Sequence, residues 1–192
     1  VHFQQVSALT FNNDYLCSAS VDGTVKVWDK HTLVTGENAE PRYSYAAHGL
    51  EVVMVRFGLV GDRLCRLFTC SLDSTVLVYD MFDGGMSAKF TFPSPCKCVT
   101  VDAMETLMAV GCENGAVYLL DLDSTSNEIV MNMNKFGHHS SETTTCLKTL
   151  DASPVTSLCY SIDNLVLIAG HADGSVRFWD IRSSQLVRQL TG

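Results

Sequence analysis

The chain is built from short runs of apolar and β-branched residues that polar turn clusters interrupt, and this pattern predicts strands. Val6–Phe11 and Tyr15–Ser20 are two such runs, separated by Asn12, Asn13 and Asp14, and they read as a hairpin. A run from Thr24 to Trp28 follows the Asp22-Gly23 pair, which suits a tight turn because Gly tolerates positive φ and Asp bonds back to the local backbone. A fourth strand is placed at Arg42–Ala47, beyond the polar stretch GENAEP.

The same order returns three times. Val52–Phe57, Cys65–Cys70, Thr75–Asp80 and Ser87–Phe92 form the second set, and Cys96–Val101, Leu107–Cys112, Ala116–Leu120 and Thr144–Leu150 the third. Val155–Tyr160, Leu165–Gly170, Ser175–Trp179 and Leu186–Leu190 form the fourth, with no helix of consequence. In each copy an acidic or amide turn residue precedes an aromatic or Leu by about six positions, and a final Asp follows: Asp22 and Trp28, Asp73 and Tyr79, Asn114 and Leu120, Asp173 and Trp179. The final aspartates lie about 51, 41 and 59 residues apart, and the shortest interval matches the period of a four-stranded propeller blade. The longest interval implies a polar insertion, residues 123–142, outside the blade sheets. A four-stranded sheet of this size cannot bury both faces alone, so successive sheets must stack around an axis. The expected fold is an all-β propeller with four blades of four antiparallel strands, at about residues 1–47, 48–92, 93–150 and 151–192, forming a segment of a larger propeller.

Composition narrows the function classes. With 46% apolar residues the chain can bury a sizeable core, no apolar run is long enough to span a bilayer, and nothing at the start reads as a signal peptide. The net charge of −8 opposes binding to a phosphate backbone and favours a basic protein partner. Of the eight cysteines, Cys17, Cys65, Cys70, Cys112 and Cys159 fall in strand segments, where they are expected as buried free thiols. Cys96 and Cys98 lack the second pair that a zinc site of this type needs.

The Trp-Asp endings, the Asp-Gly turns and the shortest period resemble the WD-repeat family across essentially the whole chain. The resemblance implies a hydrogen-bonded network of a His before the innermost strand, a Ser or Thr in the second strand, the turn Asp and the Trp. Carried over, it names His2, Ser20, Asp22 and Trp28 in the first blade, and His48, Ser71 and Asp73 in the second, where Tyr79 replaces Trp. Asp173 and Trp179 are its remnants in the fourth blade. Phe92 and Asp151 stand at the His position of the third and fourth blades, and His171 stands where Ser would be, so those blades lack the full set.

His, Ser and Asp together invite comparison with a catalytic triad. Their recurrence at equivalent repeat positions with an aromatic fourth member argues for structure, and no catalytic residue is assigned. His138 and His139 are adjacent, rarely aim at one ion, and read as part of a solvated loop, so no metal or cofactor is expected.

The third copy, whose innermost strand reads VTVD and whose turn reads ENG, is degenerate, lies between better-formed blades and is followed by the insertion. This order resembles the family of WD-repeat subunits of the nuclear Rix complex, which matures large-ribosomal-subunit precursors. The resemblance implies a non-catalytic scaffold in rRNA processing, nuclear localisation, contacts with other protein subunits and with pre-ribosomal particles indirectly, and no direct nucleic-acid or membrane contact. A WD-repeat adaptor of another class, either a signalling scaffold or a substrate receptor for ubiquitin ligation, is the alternative. Propeller geometry places the loops before the inner strands together with the Asp turns on one face. Gln4, Gln5, Leu50, Glu51, Ser74, Pro95, Glu113, Asp151 and Pro154 are the partner-binding candidates there.

Overall fold

The computed structural model describes residues 2–35, 40–58, 66–122, 130–132, 144–147 and 153–191. Each repeat folds as a meander because short strands with polar turns pair with their sequence neighbours. The first sheet joins β1 (Val6–Phe11), β2 (Tyr15–Ser20), β3 (Val25–Asp29) and β4 (Tyr43–Tyr45) in that order. The second has β5 (Val52–Phe57), β6 (Arg66–Ser71), β7 (Thr75–Asp80) and β8 (Met86–Thr91). The third has β9 (Cys96–Val101), β10 (Leu107–Cys112), β11 (Val117–Asp121) and β13 (Thr144–Leu147). The fourth has β14 (Val155–Tyr160), β15 (Val166–His171), β16 (Val176–Asp180) and β17 (Gln185–Leu190). These are the four antiparallel four-stranded blades that the repeat requires.

Three details depart from the sequence reading. A six-residue helix, α1 (Lys30–Thr35), follows β3, with Asp29 Oδ1 accepting the His31 amide at its start. The outer strand of the first blade is only Tyr43–Tyr45 instead of Arg42–Ala47. Within the expected insertion, β12 (Val130–Asn132) joins the second sheet, parallel to β8, so part of this excursion belongs to a blade sheet. The rest of the insertion, with His138 and His139, lies outside the described residues.

The innermost strand of every blade carries an irregularity at one place. Pairing skips Ser7 in β1, Val53 in β5, Lys97 in β9 and Thr156 in β14. An unpaired residue of this kind bends the strand and sharpens its twist, here beside the loops that lead into the inner strands.

The cores lie between blades. Cys17, Ala19, Val25 and Val27 of the first sheet meet Val52, Val55, Phe57, Leu67 and Leu77 of the second. Phe68, Val76, Val78 and Phe90 meet Val99, Val101, Met108, Val110 and Leu120 of the third. Ala109, Val117 and Leu119 meet Val155, Leu158, Leu167 and Trp179 of the fourth. Polar links supplement this packing. Glu105, fully buried between β9 and β10, brings Oε2 to 3.2 Å from Arg66 Nε of the neighbouring blade, and any Cβ on Gly58 would occupy the space its carboxylate fills. Tyr79 stacks on Tyr45 of the first blade at 3.9 Å between centroids. The ring that replaces Trp therefore contributes to the seam between blades.

Cys17, Cys70, Cys96, Cys98 and Cys112 are buried free thiols, and burial pushes the Cys98 thiol up to about 12. Cys159 is exposed, contrary to expectation, because it lies on the face of β14 turned away from the third blade. Cys65 lies outside the described residues.

Candidate functional site

At one end of the sheets, the loop before each inner strand is tied to the turn between the second and third strands. The amides of Val21, Leu72, Glu113 and Ala172 donate to the carbonyls of Gln5, Glu51, Pro95 and Pro154, at 2.9–3.0 Å. One bond repeated in four blades sets the loops and turns beside each other as a single end surface, here called the loop end.

Beneath it, the first blade contains a one-way relay. Trp28 Nε1 donates to Ser18 Oγ (3.0 Å), Ser18 Oγ lies 2.7 Å from His2 Nε2, and His2 Nδ1 lies 2.7 Å from Thr24 Oγ1. The Thr24 hydroxyl donates to Asp22 Oδ1. Since it is a donor there, it accepts from His2 Nδ1–H, and in the neutral imidazole that burial favours, Nε2 accepts from Ser18. Asp22 also accepts the amides of Thr24 (2.9 Å) and Phe3 (2.8 Å), which pins the loop to the turn. Burial alone would raise the Asp22 pKa, but these hydrogen bonds outweigh it and hold the carboxyl well below the usual carboxylate range. Burial lowers the His2 pKa more than Asp22 raises it.

This geometry corrects one residue in each intact blade. Ser20 does not bridge His2 and Trp28; its Oγ accepts the Asp22 amide at 3.2 Å, and Ser18 is the bridging hydroxyl. In the second blade Ser71 likewise accepts the Asp73 amide (3.1 Å) and donates to the Leu50 carbonyl, whereas Thr69 reaches His48 Nε2 at 2.7 Å. Residues two apart on a strand share a face, so alternation alone does not separate the two hydroxyls. His48 Nδ1 meets Thr75 Oγ1 (3.0 Å) and Asp73 Oδ2 (3.2 Å), and Asp73 accepts the amides of Gly49 and Thr75. The relay reaches no aromatic partner: the Thr69 hydroxyl donates to the Leu77 carbonyl at 3.3 Å, and among the described residues the Tyr79 hydroxyl has no hydrogen-bond partner.

The other two blades replace the relay. Val110 and Ala169 stand where Ser18 and Thr69 do, so among the described residues Trp179 Nε1 is buried without a partner and joins no network. Ser94 and Ser153 take over the tether: Ser94 Oγ accepts the Asn114 amide (3.1 Å), and Ser153 Oγ accepts the Asp173 amide (3.0 Å). Asp173 accepts the Ser175 amide and pairs with buried Arg177 at 3.5 Å. His171 Nδ1 turns to the Ser153 carbonyl at 2.9 Å. Sequence reasoning missed these serines, although the dipeptide Ser-Pro before both inner strands was a usable signal, as was the Thr two residues after Asp22 and Asp73.

Of the partner-binding candidates, Gln4, Gln5 and Glu113 are exposed and Leu50 is 57% exposed, whereas Glu51, Ser74, Pro95 and Pro154 are half-buried. Glu113 lies 3.8 Å from Lys97, one of the residues skipped by strand pairing. Asp151 lies outside the described residues. The surface offers carboxylates beside two exposed large apolar side chains, Phe3 and Leu50.

Comparison with known proteins agrees with this architecture. Residues 1–29 match the model of the WD domain, G-beta repeat, and residues 59–190 match that of the nucleolar protein 10-like, N-terminal domain. WD repeat-containing protein 18 of Danio rerio is 30% identical over 97% of this chain and 43% of its own length. The human protein of the same name is 28% identical over 98% and 44%. The pre-rRNA-processing protein crb3/ipi3 of Schizosaccharomyces pombe is 28% identical over 98% and 49%. The chain thus spans a little under half the length of these relatives. The second of the two models covers more than half of the chain, so the chain belongs to the nucleolar protein 10-like N-terminal domain family of WD-repeat β-propellers.

Proposed function

We propose that this chain is the propeller part of a non-catalytic scaffold subunit that acts in the maturation of large-ribosomal-subunit precursors. The observation that carries the reading is the likeness, over nearly the whole chain, to proteins named for pre-rRNA processing. The site chemistry supports it. Both His-Asp sets are consumed in holding loops against turns, and a relay that ends on a structural Trp leaves no hydroxyl activated toward a substrate. The loop end supplies the contact surface, through Gln4, Leu50, Glu51, Pro95, Glu113 and Pro154. Its partners are other protein subunits of a nuclear assembly complex, with pre-ribosomal particles engaged through them. The net charge of −8 fits protein partners better than direct RNA contact.

The test is affinity purification of the intact protein from nuclei, wild type against Glu51→Lys with Glu113→Lys, with the associated proteins identified by mass spectrometry. Wild type is expected to bring down large-subunit assembly factors, and the folded double variant to lose at least one of them. A folded variant that retains every partner at wild-type levels would remove the loop end from the account. A wild type without assembly factors would remove the function.

A further inference from the structure

The opposite end of the sheets holds the turns after the first and third strands, and it is equally well defined. The amides of Lys30, Leu122 and Ile181, each just after the final Asp of its repeat, donate to the carbonyls of Asp14, Thr106 and Leu165 in the turn after the first strand. Each blade presents a large apolar side chain to solvent there. Val34 on α1 is 79% exposed, Phe82 in the β7–β8 turn 89%, Met104 in the β9–β10 turn 68% and Ile162 in the β14–β15 turn 105%.

None of these side chains is needed where it stands. Asp80 holds the Phe82 turn by accepting the Phe82 amide, Asp102 holds the Met104 turn by accepting the amides of Thr106 and Leu107, and Ser161 with Asp163 holds the Ile162 turn. No residue of α1 is buried. Single exposed apolar residues are ordinary on a surface, but four successive blades each place one at the same end, in the third-to-fourth strand connection of the first two and the first-to-second strand turn of the last two, and packing within the described residues does not account for them. Exposed Asp83 and Asp163 directly follow Phe82 and Ile162 in sequence, so two of the four tips have a carboxylate beside them.

We infer that this turn end is a second docking surface, which takes a segment of another protein in which lysine or arginine alternates with apolar side chains. Carboxylates beside apolar tips complement such a segment in both respects, and they repel a nucleic-acid backbone. The inference rests on the scaffold reading, since a scaffold that joins two partners needs two surfaces, one at each end of its blades.

The test measures binding of two short labelled peptides to the intact protein, one alternating leucine with lysine and the other leucine with glutamate, by fluorescence anisotropy at physiological salt. The lysine peptide is expected to bind about tenfold tighter than the glutamate peptide. Val34→Ser, Phe82→Ser, Met104→Ser and Ile162→Ser combined should weaken it by about tenfold, while Glu51→Lys with Glu113→Lys at the other end should leave a clear preference for the same turn-end residues. The single variants Phe82→Ser and Ile162→Ser serve if the combined one does not fold. Equal binding of the two peptides, or undiminished binding by the folded turn-end variants, would overturn the inference. A labelled poly-uridine RNA that binds wild type and not the turn-end variant would overturn it too, by assigning the surface to RNA. Retention of large-subunit assembly factors in nuclear purifications is read separately, so the scaffold reading survives or fails independently.

Discussion

At the scale of single residues, the two candidate hydroxyls of the first blade have different work. Ser18→Ala removes the acceptor of Trp28 Nε1 and the partner of His2 together, and should cost about 1–3 kcal/mol in denaturant melts, more than Ser20→Ala. Equal costs would contradict the relay as drawn. Trp28→Phe should likewise be more damaging than Trp179→Phe, because the indole of Trp179 makes no hydrogen bond among the described residues. The aspartates Asp22 and Asp73 were legible because turn chemistry marks them, and their carboxyls are depressed by the bonds they accept. A depressed carboxyl stabilises the fold above its unfolded pKa of about 4 and loses that contribution as pH falls below it. His2, also depressed, acts in the same direction from about pH 6.5 downward. Stability should therefore fall on acidification from neutrality, and Asp22→Asn should flatten the acid limb; a variant as acid-sensitive as wild type would refute this assignment. The bridging hydroxyls were not legible, because two serines on one strand face differ only in register, and register with Trp28 is a property of the folded pair.

At the scale of elements, strand positions and turn residues could be read directly, since each strand is short, apolar and bounded by Gly, Asn or Asp. What neighbours do to a turn could not. Gly23 and Gly174 have the same φ, 80° and 82°, yet a Cβ on Gly23 would lie 2.9 Å from the His48 carbonyl oxygen of the next blade, while one on Gly174 would meet nothing. Gly174→Ala should thus cost only the conformational penalty of about 1–2 kcal/mol, and Gly23→Ala should cost more. Equal losses would mean that the first turn is not wedged under the second blade. The same logic explains why an added strand in the insertion could be read as an option but its partner could not: the pairing edge of β12, on β8, is supplied by a blade that precedes the insertion by a whole repeat. Replacing residues 123–142 with a Gly-Ser linker should preserve a cooperative melt, because the second sheet keeps its four core strands without β12; loss of cooperativity would place the insertion in the core.

At the scale of the whole molecule, the repeat made the architecture legible, because one blade cannot cover its own faces. The two outermost blades show what that leaves open. Leu9 and Phe11 of β1 and every residue of β17 are exposed. The segment on its own should therefore self-associate, and a dilution-independent monomer in light scattering would contradict that expectation. Function was legible only through family likeness, since the polar sets that resemble catalysis are spent on holding loops to turns, and a scaffold's purpose lies in surfaces whose partners no single chain records. The central claim, action in large-subunit maturation, is tested most directly by depleting the intact protein from cells and following newly made rRNA by pulse-chase labelling. The account predicts accumulation of large-subunit rRNA precursors while small-subunit rRNA matures normally. Unchanged large-subunit processing after depletion would contradict it.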